Sequence, residues 1–169
     1  MDRIIDAADY LYKKYREISN GSFLDEMKLH KLLYLAQREN LAITGRPLFG
    51  EKFEGWKFGP VSPDVRRVYS EQDGIQAQTR EISPETAVIL NAVLEEYGPI
   101  ESWSLSKMSH NEISWKNARR GLLPSEPGNV ELAIEDIKED AKKVRPFDHI
   151  WGMYYDEFED IPEGEAPAV

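Results

Sequence analysis

The stretch Ser109-His110-Asn111-Glu112-Ile113-Ser114-Trp115 carries the residue types best suited to acid–base chemistry in this chain. His110 and Glu112 lie two residues apart, and an imidazole beside a carboxylate can form a general acid–base pair. The same stretch is superficially similar to a His-Glu-x-x-His zinc motif, but position 114 is serine and the other two histidines are distant in sequence. We therefore favour structural hydrogen bonding by His110 and Glu112 over partner contact, and partner contact over catalysis.

The usual signatures of other catalytic sites are missing from the sequence. The chain has no cysteine, which excludes disulfides, thiolate zinc sites and a cysteine nucleophile. It has no Gly-x-Gly-x-x-Gly or P-loop pattern to cradle phosphates, and no Gly-x-Ser-x-Gly nucleophile elbow. We expect a protein that is not an enzyme, with no catalytic residue, cofactor or metal ion.

A second notable motif is Trp56-Lys57-Phe58-Gly59-Pro60-Val61, in which aromatic rings precede a glycine–proline corner. Glycine permits backbone angles that other residues resist, and proline fixes its own φ. The motif is either a structural turn with Trp56 in the core or a corner that displays an aromatic anchor to a partner. The candidate partner-binding residues are Trp56, Phe58 and Val61, followed by His110, Glu112 and Trp115.

The charge distribution argues against nucleic acid and membrane as partners. The net charge is -10, so the chain has no broad attraction for phosphate backbones. The basic cluster Lys116, Arg119 and Arg120 is better explained as a solvated face than as a nucleic-acid site. The N-terminus is charged from Asp2 onward and no stretch has the ~18 apolar residues of a membrane span, so we expect a cytoplasmic protein.

Apolar periodicity and breaker residues predict the elements that position these motifs. We expect one compact, mainly α domain with about five to seven helices and a small two-stranded β element. The predicted helices cover residues 2–18, 25–43, a short segment from 63, 83–97, 101–108, a turn or helix near 115–120, and 129–144. The predicted strands cover residues 52–58 and 75–80.

Two regions leave alternatives open. The most apolar helix contains Lys28 and Lys31, which are either solvated or receive an acidic partner. Residues 145–169 hold seven acids and one base among aromatic residues, which sets them apart from residues 1–144. This acidic segment either docks on the body or orders on a basic partner.

Four motifs in order resemble the Panacea domain of SocA-like antitoxins, over roughly residues 2–144. They are Lys28-Leu29-x-Lys31-Leu32-Leu33-Tyr34, Gly45-Arg46-Pro47-Leu48-Phe49, Trp56-Lys57-Phe58-Gly59-Pro60-Val61 and Leu105-Ser106-x-x-Ser109-His110-x-Glu112-x-x-Trp115. The family commonly has threonine at position 109 and often has proline at position 114, where this chain has serine.

The resemblance implies a non-catalytic antitoxin that neutralises a cognate toxin protein by direct binding. One branch of the family acts as a proteolytic adaptor that delivers its toxin to a cellular protease, which is the alternative function. Similar domains also occur in phage and prophage proteins, so a phage-encoded host-interaction protein is a further alternative. The family's toxins are diverse, so the resemblance does not identify this chain's toxin.

Overall fold

The computed structural model describes residues 1–144, which form seven helices and two short β-hairpins. The helices are α1 (Ile4–Ile18), α2 (Glu26–Thr44), α3 (Pro63–Val68), α4 (Pro84–Tyr97), α5 (Ser102–Ser109), α6 (Ile113–Ala118) and α7 (Ile134–Ala141). The strands are β1 (Glu54–Trp56), β2 (Gly59–Val61), β3 (Tyr69–Ser70) and β4 (Gly74–Ile75). The predicted mainly α class is confirmed, with two hairpins in place of one two-stranded element.

Helix α2 is the centre of the fold. The Asp25 side chain accepts a hydrogen bond from the Lys28 backbone N–H at 2.8 Å, which caps the helix at its predicted start. Gly45 ends it with a left-handed φ of 73°. Between these ends α2 contacts α1, α4, α5, α7 and β2, so it is covered on nearly every side. Its leucines therefore lie in one continuous core with the apolar faces of α1 and α4.

The two other long helices also follow their sequence signals. Helix α1 has its apolar residues at the three- and four-residue steps that predicted it. Helix α4 begins after Ser83, whose hydroxyl accepts a hydrogen bond from the Thr86 N–H at 3.3 Å, and has Pro84 in its first turn.

The hairpin β1–β2 corrects the prediction that Gly59-Pro60 ends a strand. Trp56 pairs with Gly59 and Gly55 pairs with Pro60, so these residues lie inside the hairpin and the turn is Lys57-Phe58. Gly59 has a φ of +120°, which suits glycine after a tight turn. Proline is tolerated because a two-stranded hairpin leaves it on an edge strand.

The predicted strand 75–80 is wrong beyond Ile75. Gly74–Ile75 pair with Tyr69–Ser70, and the last backbone hydrogen bond on this side is from the Gln76 N–H to Val68 O at 2.6 Å. The next residues are held by carboxylates of α1: the Arg80 N–H donates to Asp6 at 2.8 Å and the Thr79 hydroxyl to Asp9 at 2.9 Å. The Asp6 carboxylate thus satisfies the Arg80 backbone N–H where a strand ladder was expected.

The last helix starts later than the predicted Asn129. The Gly55 N–H donates to Val130 O at 2.9 Å, and the Leu132 N–H donates to Phe53 O at 2.8 Å. This pairing with β1 keeps residues 130–132 extended, so α7 begins at Ile134. The acidic segment 145–169, predicted as a separate unit, lies outside the described residues.

None of the described helices combines the length and apolar character needed to cross a membrane.

Candidate partner-binding surface

The corner, defined as residues 56–61, presents its three predicted binding residues unequally. Phe58 is 42 % exposed, while Val61 is only 8 % exposed. Trp56 is half-buried, with the Arg66 guanidinium 4.9 Å from its ring and its Nε1–H donating to Glu54 at 2.9 Å. Phe58 is therefore the corner residue with the most surface available to a partner.

The corner is held against helices α2 and α5 by direct contacts. The Lys31 ammonium donates to Pro60 O at 3.2 Å, and the Ser106 hydroxyl donates to Phe58 O at 2.7 Å. A Cβ at Gly59 would lie 2.5 Å from Lys31 Cε and even closer to the Ser109 hydroxyl. Close packing and hydrogen bonding thus fix the position of Phe58 before any partner arrives.

His110 and Trp115 support the same corner. Their rings stack with centroids 4.2 Å apart and an interplanar angle of 9°. The Trp115 Nε1–H donates to Trp56 O at 2.7 Å, which ties the two predicted motifs together. Burial lowers the pKa of His110, and the nearby charges of Lys31 and Arg119 lower it further, so the imidazole is neutral at pH 7.

Phe58 also pairs with an exposed ring that the sequence analysis did not select. Trp103 on α5 packs edge-on against Phe58, with centroids 5.2 Å apart and planes at 87°. Trp103 is 52 % exposed, and the Lys57 ammonium lies 5.1 Å from the Phe58 centroid. We call Phe58 and Trp103 the exposed aromatic pair. Trp103 could have been recognised from its position on α5 opposite the buried Leu105. That position is defined only once the bounds of this short helix are known.

Glu112 lies in a different environment from His110. Its carboxylate accepts from Arg38 Nη1 at 2.7 Å and from the Tyr34 hydroxyl at 3.1 Å. Burial raises the pKa of Glu112, and the charge of Asp140 raises it further, against the opposing effect of Arg38. The structure records no hydrogen bond or ion pair between His110 and Glu112 within residues 1–144, so their two-residue spacing does not produce an acid–base pair.

Asp140 completes this buried arrangement, which we call the Glu112 network. Asp140 is fully buried and accepts from the Ile113 N–H at 2.6 Å and the Ser114 N–H at 3.0 Å. It also lies 3.0 Å from the Tyr34 hydroxyl, whose single proton it shares with Glu112. Burial alone raises the pKa of Asp140, but the hydrogen bonds from Ser114, Ile113 and Tyr34 outweigh it and lower the pKa. The carboxylate of α7 therefore caps α6, and the network fixes the position of this helix, which carries Trp115.

Three basic residues are buried: Lys28 and Lys31, for which a solvated position was one of two alternatives, and Arg119, which was expected on a solvated face. Lys28 and Lys31 are 6 % and 2 % exposed, and the Lys28 ammonium donates to Gly98 O at 2.8 Å. Arg119 is 6 % exposed and donates to the backbone carbonyls of Gly55 and Glu126. The prediction of a solvated basic face holds for Lys116 and Arg120, which are exposed. Backbone carbonyls supply the acceptors for these buried cations, which sequence periodicity does not reveal.

A cleft of about 240 Å³ separates α2 from α5 beside the corner. Its lining residues are Lys31, Tyr34, Leu35, Arg38, Leu105, Met108, Ser109, Asn111 and Glu112. We call it the α2–α5 cleft. The described residues contain no group of three or more histidine or acidic side chains arranged to hold a metal ion.

Comparison with known proteins shows which proteins this chain is similar to. The family model described as antitoxin SocA-like, Panacea domain matches residues 29–116, just over half of the chain. Antitoxin SocA of Caulobacter vibrioides (strain NA1000 / CB15N) is 49 % identical over 47 residues, which are 28 % of this chain and 25 % of that protein. The aligned segment thus spans a quarter of the relative's length. No solved structure matches. The family match contains the corner, α5 and the lining of the α2–α5 cleft.

Proposed function

Because the chain belongs to the SocA-like antitoxin family of Panacea domains, we propose that it is an antitoxin that neutralises a protein toxin by binding it directly. The toxin contacts the corner and the adjacent helix α5, and the exposed aromatic pair provides the anchors. The chain acts by occupying the toxin surface, with no covalent bond made or broken.

The observation that carries this proposal is the exposed aromatic pair on a fixed support. Two large rings, 42 % and 52 % exposed, lie in contact with each other, one on the corner and one on α5. Aromatic residues on rigid elements are typical of interface hot spots, because little conformational freedom is lost when they bind. The family match includes both rings.

The energetic requirement is compatible with such a site. Inhibition at nanomolar concentration needs about 12 kcal/mol of binding free energy. Full burial of an aromatic side chain contributes about 1.5–3 kcal/mol. The pair therefore supplies a central part of the affinity, and surrounding contacts over an interface of roughly 1,600 Å² supply the rest.

The test is co-expression with the protein encoded by the adjacent gene. The neighbour alone should arrest growth, and the wild-type chain should restore it and co-purify with the neighbour. Phe58→Ala and Trp103→Ala should each weaken binding of the purified neighbour at least tenfold. A harmless neighbour, or a neighbour that stays toxic while stably bound, would refute the antitoxin proposal.

Phe23→Ala is the matched control. Phe23 is also 42 % exposed and also has a cation over its ring, with Arg16 at 4.9 Å, but it lies between α1 and α2. Its removal should change toxin affinity by less than twofold. Equal losses of toxin affinity in Phe23→Ala and Phe58→Ala would show that affinity depends on exposed aromatic area in general and not on the corner.

A further inference from the structure

The α2–α5 cleft has apolar walls and a buried cation at its base. Leu35, Leu105 and Met108 supply the apolar surface, and Met108 is 41 % exposed at the rim. Lys31 lies at the base and is only 2 % exposed. A side chain entering from solvent would meet hydrocarbon first and then an ammonium group.

The Lys31 ammonium is not neutralised by any ion pair within residues 1–144. Its hydrogen bond there goes to the neutral carbonyl of Pro60, at 3.2 Å. An ammonium has three N–H donors, so two remain for another acceptor. The acids Asp25 and Glu26 act on it only through longer-range electrostatics. Burial of a charge in this state is costly, and a paired anion would offset that cost.

Arg38 presents a second unused donor at the same cleft. Its Nη atoms donate to Glu112 and Tyr97, but its Nε is buried and has no hydrogen-bond partner in the described part of the chain. The cleft lining therefore contains two cations and one carboxylate. Arg38 is paired with that carboxylate and also lies 3.8 Å from Glu39, which leaves Lys31 as the lining cation without an ion pair among residues 1–144. Locally the cleft favours an anion, although the chain as a whole has a net charge of -10.

We propose that the α2–α5 cleft receives an acidic side chain of the toxin, an aspartate or glutamate beside an apolar residue, and that Lys31 is its counter-ion. This inference rests on the proposed function and specifies the chemistry of the partner. The apolar walls and the volume of about 240 Å³ suit one carboxylate-bearing side chain with an aliphatic neighbour. A polyanion such as nucleic acid does not fit, because the cleft is lined by only two cations and one of them is already paired with Glu112.

The first experiment measures binding of the full-length chain to the purified toxin by calorimetry. Lys31→Met should weaken binding about 10- to 100-fold, since a charge-assisted hydrogen bond is lost. Lys31→Arg keeps the charge and should lose less. Lys28→Met is the matched control: it removes the other buried lysine of α2, which does not line the cleft, and should leave affinity within twofold. Unchanged affinity in Lys31→Met would overturn the inference while leaving the antitoxin proposal intact.

The second experiment examines the cleft without the toxin. N-acetyl-Leu-Asp-amide is titrated against the full chain while the Lys31 Cε–H signal is followed by NMR. The signal should shift saturably, and N-acetyl-Leu-Asn-amide should bind at least tenfold more weakly. The Trp103 indole signal reports whether the corner has moved. Equal binding of both dipeptides, or binding unchanged by Lys31→Met, would overturn the inference even if the antitoxin proposal failed in its own test.

The chain's own acidic segment is the competing occupant. In a full-length variant the acids of residues 145–169 are replaced by their amides. The Lys31 signal of the free protein should stay unchanged if the acidic segment does not occupy the cleft. If these replacements shift the Lys31 signal by about as much as the removal of bound dipeptide does, the segment itself fills the cleft. That result would overturn the assignment of the acidic side chain to the toxin.

Discussion

Replacement of Lys31 by methionine should stabilise the free protein, and the gain should depend on pH. Burial lowers the pKa of Lys31 from 10.5 to about 8. Between these values the unfolded chain binds a proton that the folded chain has lost, so the free energy of unfolding rises as pH increases. The Lys31 contribution is fully present above pH 10.5 and is lost as pH falls towards 8.

The magnitude follows from the width of this pH window. At about 1.4 kcal/mol per pH unit, the cost of keeping Lys31 protonated in the fold is roughly 3 kcal/mol at pH 7. Methionine has a similar length and no charge, so Lys31→Met removes this cost. It also removes the hydrogen bond to Pro60 O, worth about 1 kcal/mol. We expect a net gain of about 2 kcal/mol at pH 7 that reverses to a small loss by pH 10.

Urea denaturation of both proteins at pH 7, 8, 9 and 10 measures this difference, and the comparison cancels the titration of other groups. Lys28→Met provides the control, since the same residue type is replaced one turn earlier on α2. A stability difference between Lys31→Met and wild type that is constant from pH 7 to pH 10 would refute the assignment of Lys31 as a buried, unneutralised cation.

Other substitutions test the support of the corner, each by urea denaturation. Asp140→Ala should destabilise the protein by about 3–5 kcal/mol, because the N–H groups of Ile113 and Ser114 lose their acceptor at the start of α6; a loss under 1 kcal/mol would contradict this role. Gly59→Ala should cost more than 1 kcal/mol, since its φ of +120° and its close neighbours leave no room for a Cβ. Glu112→Gln should flatten the pH dependence of stability above pH 4.5: burial raises the pKa of Glu112, so its contribution is present at low pH and lost as pH rises through the folded pKa. An unchanged pH profile in Glu112→Gln would show that this carboxyl titrates as it does in the unfolded chain.

The long helices were predictable because local signals mark them completely. Asp25 and Ser83 cap their helices as side-chain acceptors, and Gly45 adopts the left-handed angle that ends α2. Each of these effects depends on residues within a few positions of one another. Local sequence is therefore sufficient to place α2 and α4, while α1, which has no side-chain cap, is marked by its apolar periodicity and the Asn20-Gly21 stop.

The elements whose bounds were predicted wrongly depend on contacts with residues that are distant in sequence. Residues 130–132 pair with β1, more than 70 residues earlier, and this contact delays the start of α7. Thr79 and Arg80 bind carboxylates of α1 in place of a neighbouring strand. The local pattern contains neither partner, so it predicted a longer helix and a longer strand.

The sequence predicted the position of the corner from its aromatic residues, but it did not identify Trp103 or the buried charged residues. Large rings beside a glycine–proline pair marked the corner, and the structure brings Trp56 and Trp115 into contact. Lys31 and Arg38 lie on a helix that is covered on nearly every side, where apolar periodicity does not say which polar residues are buried. Their environment is created by α5 and the turn before α6, which follow some 70 residues later.

Hydrogen–deuterium exchange of the purified chain, free and bound to its toxin, shows whether the corner and α5 form the contact surface. We expect a stable complex with protection concentrated in residues 54–61 and 102–109 and little change in α4. Failure to form a complex, or a stable complex in which the corner and α5 exchange as fast as in the free protein, would contradict it.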